Sequence, residues 1–246
     1  MILIVAVFWI EPIPQDLAYH QFSDGRSILS IANFWNVMSN LPFLAVGAAG
    51  LWFLRNRQRA GLVDSLYPAY IVFFVGVIAT GIGSSWYHMA PDNNTLVWDR
   101  LPMTIVFMAL FSVVIGEYVC EQSGRRLLIP LLAIGALSVF YWQYTEAGGA
   151  GDLRPYALVQ FLPIAMIPVI LLSYPPAFDL KWMYWSMIVL YAFSKLFEYF
   201  DYTVFDLGHV LSGHTIKHLV AAGATAFFLY GVASRKISGE GWQDID

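Results

Sequence analysis

The chain has 246 residues, of which 59% are apolar, 17% aromatic and only 12% charged. Soluble domains usually carry about 25% charged residues, so this sequence cannot coat a water-facing surface and reads as an all-α, polytopic membrane bundle. Its net charge of −4 offers nothing to a nucleic acid. A single cysteine, Cys120, excludes an internal disulfide and any cysteine-rich zinc finger; an ordinary buried thiol is expected there.

Residues 1–10 are apolar, but no basic residue precedes them, no small-residue cleavage site follows, and they are too short to span. They read as a degenerate signal segment or an interfacial stub. The remaining apolar residues fall in blocks of about 20, the length that crosses a bilayer as helix. Seven spans are predicted, at 28–54, 66–89, 96–119, 127–144, 156–174, 182–200 and 209–233. The predicted organisation is thus an outer N-terminal segment (1–27), one seven-helix transmembrane domain (28–233) and a cytoplasmic tail (234–246).

Orientation follows from the basic residues of the loops. With the N-terminus outside, the inner loops and tail hold Arg55, Arg57, Arg59, Arg125, Arg126, Lys181, Arg235 and Lys236, eight in all. The outer segments hold three, Arg26, Arg100 and Arg154. This bias predicts an N-out, C-in protein, and it makes the Arg-rich run at 55–59 a topology anchor.

Ionisable groups inside a bilayer are costly unless they face the bundle interior and find partners. Here they gather at one membrane face. His88 ends the second span, Asp99 opens the third, Glu198 and Asp201 close the sixth, and His209, His214, Lys217 and His218 begin the seventh. His214 and His218 are four apart, so they share a helix face and can hold one tetrahedral metal. His88 supplies a third ligand if the second and seventh spans pack together, leaving the open position of a catalytic zinc. The competing reading is a pair of interior histidines that relay protons.

Ser84 lies one turn deeper than His88 on the same face. It reads either as a hydroxyl for an acyl oxygen or as a small residue in the tight contact marked by Gly81 and Gly83. Asp99 reads either as a helix N-terminal acid beside a surface partner, Arg100, or as a general base and acid. Asn33, Asn36 and Asn40 form one polar stripe, with Ser39 beside it, best suited to interhelical hydrogen bonds. His20, Asp24 and Arg26 read as a solvated outer loop, or else as a cap or a second ion site. Lys195 and Glu198, three apart, form a pair on one helix.

The motifs Gly83-Ser-Ser-Trp-Tyr-His88, Trp98-Asp-Arg-Leu-Pro102, His214-Thr-Ile-Lys-His218 and Phe34-Trp-Asn-Val-Met-Ser-Asn40 resemble the alkaline ceramidases. More broadly they resemble the CREST group of seven-span hydrolases and receptors, which includes the adiponectin receptors. The resemblance implies a zinc amidase: His88, His214 and His218 hold the metal, Asp99 moves the proton and Ser84 helps hold the carbonyl oxygen. The eukaryotic members also carry an acidic calcium site, but Asn33 stands where that pattern has Glu. Little acid precedes it, so Ca2+ is left to a shifted site using Asp16 or Asp24.

The sequence therefore predicts a zinc-dependent hydrolase of ceramide-like lipids, releasing fatty acid and sphingoid base. It resembles the bacterial ceramidase-like branch, which implies an inner membrane with the active site toward the periplasm. The bilayer and its lipid are the only partners the sequence implies. Two alternatives stay open: a zinc hydrolase of another acyl lipid, and a non-enzymatic lipid sensor or proton relay.

Overall fold

A computed structural model describes residues 7–56 and 61–237. The rest of the N-terminal stub, Arg57 and Arg59 of the basic run, and the tail from 238 onward lie outside the described residues. Within them the chain is helical, without strands. Its helices are α1 (Phe34–Met38), α2 (Leu41–Asn56), α3 (Tyr67–Met89), α4 (Asn93–Tyr118), α5 (Glu121–Ala147), α6 (Arg154–Ser173), α7 (Trp182–Tyr199), α8 (Asp201–Gly208) and α9 (Gly213–Ser234). Six stretches are long and apolar enough to cross a membrane: α1 with α2, then α3 with the turn before it, α4, α5, α6 and α9. These apolar helices suggest a multi-pass membrane protein. α7 matches the predicted 182–200 span and has 18 residues, but its Trp, Tyr, Lys195 and Glu198 leave it outside that set.

Local chemistry sets the boundaries. Leu29, Ser30 and Asn33 have positive φ, so the first helix starts at Phe34 rather than at residue 28. It breaks at Ser39 and Asn40, because Pro42 has no N–H to return to the Met38 carbonyl. α4 opens with a reciprocal cap in which Thr95 N–H donates to Asp92 Oδ1 (2.7 Å) and Asp92 N–H donates to Thr95 Oγ1 (3.0 Å). α9 opens on Ser212, whose Oγ accepts from Thr215 N–H at 3.0 Å. His209 adopts the left-handed conformation that closes α8, so it stands outside the seventh predicted helix that was expected to begin with it.

Two glycines set helix contacts that matter for the site. A Cβ on Gly83 would lie 1.9 Å from the Trp98 carbonyl oxygen, so α3 and α4 touch backbone to backbone there. A Cβ on Gly213 would lie 2.3 Å from the Phe197 carbonyl oxygen, which lets the start of α9 press on the end of α7. An aromatic core fills the far half of the bundle, with Phe73 and Phe228 ring centroids 4.4 Å apart.

Three expectations about single residues are corrected. Cys120 is exposed, in the turn between α4 and α5. Arg100 is buried and pairs with Gln15 rather than with Asp99, its guanidinium 4.3 Å from the Trp142 ring. Arg235 is likewise buried, against Glu117, so neither arginine is a free loop charge.

Candidate metal centre

His88 ends α3, and His214 and His218 lie on the first two turns of α9. All three are buried, and one nitrogen from each lies within 4.8 Å of the others. His88 Nε2 and His218 Nε2 are 3.3 Å apart. Two ligands of a tetrahedral zinc at about 2.0–2.1 Å are separated by about 3.3 Å, so this edge already has the right length. The fit is also chemical: His88 Nδ1 has no hydrogen-bond partner, and its Nε2 faces only another imidazole nitrogen. Three neutral imidazoles turned on one point suit a borderline-soft divalent cation.

Ser39 orders this cluster. Its hydroxyl donates to the Asn36 carbonyl (3.1 Å), leaving a lone pair for His218 Nδ1 at 2.8 Å. Nδ1 must then carry the proton, which frees the His218 Nε2 lone pair toward His88. His214 is placed through its backbone, whose N–H donates to Asp201 Oδ1 at 2.7 Å.

Ser84 and Asp99 meet across the Gly83 contact. Both are buried. Asp99 is the seventh residue of α4, beyond its first turn, so it is not the helix N-terminal acid. Ser84, Asp99, Lys217 and His218 together line one end of a cavity of about 120 Å³. From there the slot runs between α3, α4, α6, α7 and α9 along Val77, Met103, Leu110, Ile164, Met187 and Ala221. A polar end and an apolar slot suit a lipid whose reactive group sits at the mouth of its chain.

The polar stripe on the first span divides its work. Asn33 Nδ2 donates to the His88 carbonyl (2.8 Å), and Asn36 Oδ1 accepts from Thr215 Oγ1 (2.8 Å); both are interhelical bonds, as expected. Asn40 instead bonds within its own helix, Nδ2 donating to the Asn36 carbonyl (2.9 Å), and lines the cavity. Lys195 and Glu198 pair at 2.6 Å, but Glu198 also holds Lys217 at 2.6 Å. Lys217 Nζ in turn lies 3.3 Å from His214 Nε2. Helix spacing alone did not assign Lys217 a place in the site, though its i−1 position to His218 was a usable signal.

The N-terminal segment covers the histidines rather than lying solvated. The Phe22 ring sits 4.7 Å from His88 and 4.8 Å from His214, centroid to centroid. Ser23 N–H donates to Asp201 Oδ2 (3.0 Å), and Tyr19 OH donates to Glu198 (3.2 Å). Burial pushes the Tyr19 phenol well above its usual range, which keeps it a donor. His20 spends both ring nitrogens on Tyr87 and Asn93, each at 2.9 Å. Arg26 engages both oxygens of buried Asp24 at 2.7 and 2.6 Å, and Asp16 caps the turn Leu17–His20.

An apolar helical bundle with three buried histidines and a slot lined by Ser84 and Asp99 is the class that the fold and site define. Within that class, the Ceramidase family model matches residues 27–201, and the chain belongs to the Ceramidase family. The match includes Ser84, His88 and Asp99 but stops before His214 and His218; it is the packing of α9 against α3 that brings these two to the others. A Dictyostelium discoideum protein named "Putative alkaline ceramidase dcd3A" is 27% identical over 124 residues, which is 42% of this chain and 43% of that protein. The match thus spans under half of the relative's own length.

Proposed function

We propose that this protein is a zinc-dependent amide hydrolase that cleaves ceramide-like N-acyl lipids into a fatty acid and a sphingoid base. The observation that carries the reading is the Ser84–Asp99 pair at the polar end of an apolar slot, beside three converging histidines. Family membership and the name of the Dictyostelium relative support the substrate class.

His88, His214 and His218 are the ligands in this reading. A zinc ion there supplies a Lewis acid that polarises the acyl carbonyl and makes water a nucleophile near neutral pH. Asp99 takes the proton of the attacking water and passes it to the leaving amine. At the start the Ser84 O–H donates a hydrogen bond to the ionised Asp99 carboxylate. Once Asp99 is protonated it can donate back to Ser84 Oγ, and the Ser84 O–H is free to turn to the acyl oxygen. The apolar slot takes the hydrocarbon, and Phe22 keeps bulk water off the histidines. No calcium enters this scheme, because Arg26 holds Asp24 and residue 33 is Asn.

In the bilayer α7 is the sixth of seven spans, since Lys195 and Glu198 neutralise each other and face Lys217. Residues 28–233 form the transmembrane domain. The excess of basic residues in the inner loops places the N-terminus and the histidine end outside, toward the periplasm of a bacterial inner membrane.

The test is metal content and lipid release on one preparation. Wild type is expected to hold one zinc and release fatty acid from an N-acyl sphingoid base. His88→Ala should lose both, whereas Asp99→Asn should keep the metal and lose about 10²–10⁴-fold in rate. Ester cleavage with no amide cleavage changes the substrate; stoichiometric metal with no hydrolysis of any lipid makes the protein a sensor.

A further inference from the structure

The amide of Asn40 is a polar group of the cavity end that the scheme above leaves unused. Asn40 is fully buried, and its Oδ1 has no hydrogen-bond partner among the described residues. Its Nδ2 donates to the Asn36 carbonyl at 2.9 Å. That bond fixes which way the amide faces, because the flipped form would set oxygen against oxygen. Asn40 lines the same slot as Ser84, Asp99 and His218. Buried acceptors without partners are rare in native proteins, and this one sits where a ligand lies.

We infer that Asn40 Oδ1 accepts a hydrogen bond from the N–H of the bound lipid's secondary amide, and so selects N-acyl over O-acyl lipids. The inference rests on the hydrolase reading and deepens it. The amide nitrogen is one bond from the acyl carbon that Ser84 and Asp99 address, so its N–H falls among the groups lining this end. An ester places an oxygen at that position, whose lone pairs would face the lone pairs of Oδ1. A site built around a hydrogen bond rejects the analogue that cannot make it. The geometry also has a local cause: the helix break forced by Pro42 leaves the first span irregular at Ser39 and Asn40, placing one against His218 and the other along the slot.

Three lipids with the same head and acyl chain test this: a secondary amide, its N-methyl derivative and the ester. Binding is measured by displacement of a fluorescent lipid from full-length protein in nanodiscs, with chelator present so that nothing is hydrolysed. Wild type should bind the secondary amide at least ~10-fold more tightly than either analogue, the cost of roughly one hydrogen bond. Asn40→Leu and Asn40→Ala should bind all three within about twofold. Unchanged affinity for the N-methyl amide shows that the variants are folded. Equal binding of the three lipids by wild type, or a preference that survives in a folded variant, overturns the inference. Because no turnover is involved, selective binding with no later hydrolysis would count against the hydrolase reading alone. Hydrolysis without selective binding would count against Asn40 alone.

Discussion

Ser39 Oγ and His218 Nδ1 lie 2.8 Å apart, and this contact sets which nitrogen of His218 faces the other two histidines. With the Ser39 proton committed to the Asn36 carbonyl, His218 is held with Nδ1–H as donor and Nε2 as free base. Groups that orient a ligating histidine in this way typically cost 10–100-fold in metal affinity when removed. Ser39→Ala is therefore expected to lower zinc affinity ~10–100-fold in a chelator competition, while Ser39→Thr, which keeps the hydroxyl, stays near wild type. Equal affinity in Ser39→Ala would show that the ring is held by packing alone.

Gly83 places Ser84 and His88 against Asp99 by letting two backbones touch. An added methyl would sit 1.9 Å from the Trp98 carbonyl oxygen, and a carbonyl in the middle of a helix cannot swing aside. Gly83→Ala should destabilise by about 1–3 kcal/mol or more and separate α3 from α4 between Ser84 and Asp99. Gly223→Ala is the control, because a Cβ there meets nothing within 4 Å. Thermal melting should fall for the first and hold for the second, with lipid release lost only in the first.

Much of this site was legible before the structure. The cost of burying charge in a bilayer singled out His88, Asp99, His214 and His218, and the i, i+4 rule put the last two on one face. Neither argument could say that α3 and α9 adjoin, because that depends on packing between elements far apart in sequence. Hydropathy also missed that Asp99 lies beyond the first turn of its helix and that the first span breaks at Ser39. The polar stripe read as three equivalent asparagines, yet Pro42 makes Asn40 different from Asn33 and Asn36. Hydropathy judged α7 correctly as a helix, but its paired Lys195 and Glu198 lower its apolar character. Arg100 and Arg235 were counted as loop charges because a residue window cannot see a guanidinium folded back onto aromatic rings.

Asp152 gives the fold an acid-sensitive joint outside the spans. Arg154 donates to its two carboxylate oxygens, both bonds at 2.8 Å, and this holds the carboxyl below its usual range. A folded value below the unfolded one, about 3.9, means that the stabilisation is complete above the unfolded value. It is lost as pH falls through the folded value. The melting temperature of wild type should therefore drop below about pH 4 more steeply than that of Asp152→Asn. Parallel curves for the two proteins would show that this pair does not contribute.

Glu117 and Arg235 form the other buried charge centre, at the opposite end of α4 from Asp99. Both are about 1% exposed. Arg235 reaches both oxygens of Glu117, and the Tyr70 and Tyr184 hydroxyls donate to the same carboxylate. The guanidinium also donates to the Gly61 carbonyl (2.8 Å) and lies 4.1 Å from the Phe178 ring. It thereby ties the chain after α9 to the turn before α3. Removing one partner strands a buried charge, which costs about 3–5 kcal/mol, whereas replacing both with apolar side chains is often neutral. Glu117→Leu alone should therefore lower the melting temperature sharply, and adding Arg235→Met should recover most of the loss. Asp99 is 18 residues from Glu117 along α4, about 27 Å at 1.5 Å per residue. Lipid release per folded molecule should then be unchanged in the double variant. Full stability with low release would instead mean that this ion pair reaches the histidine end through α4.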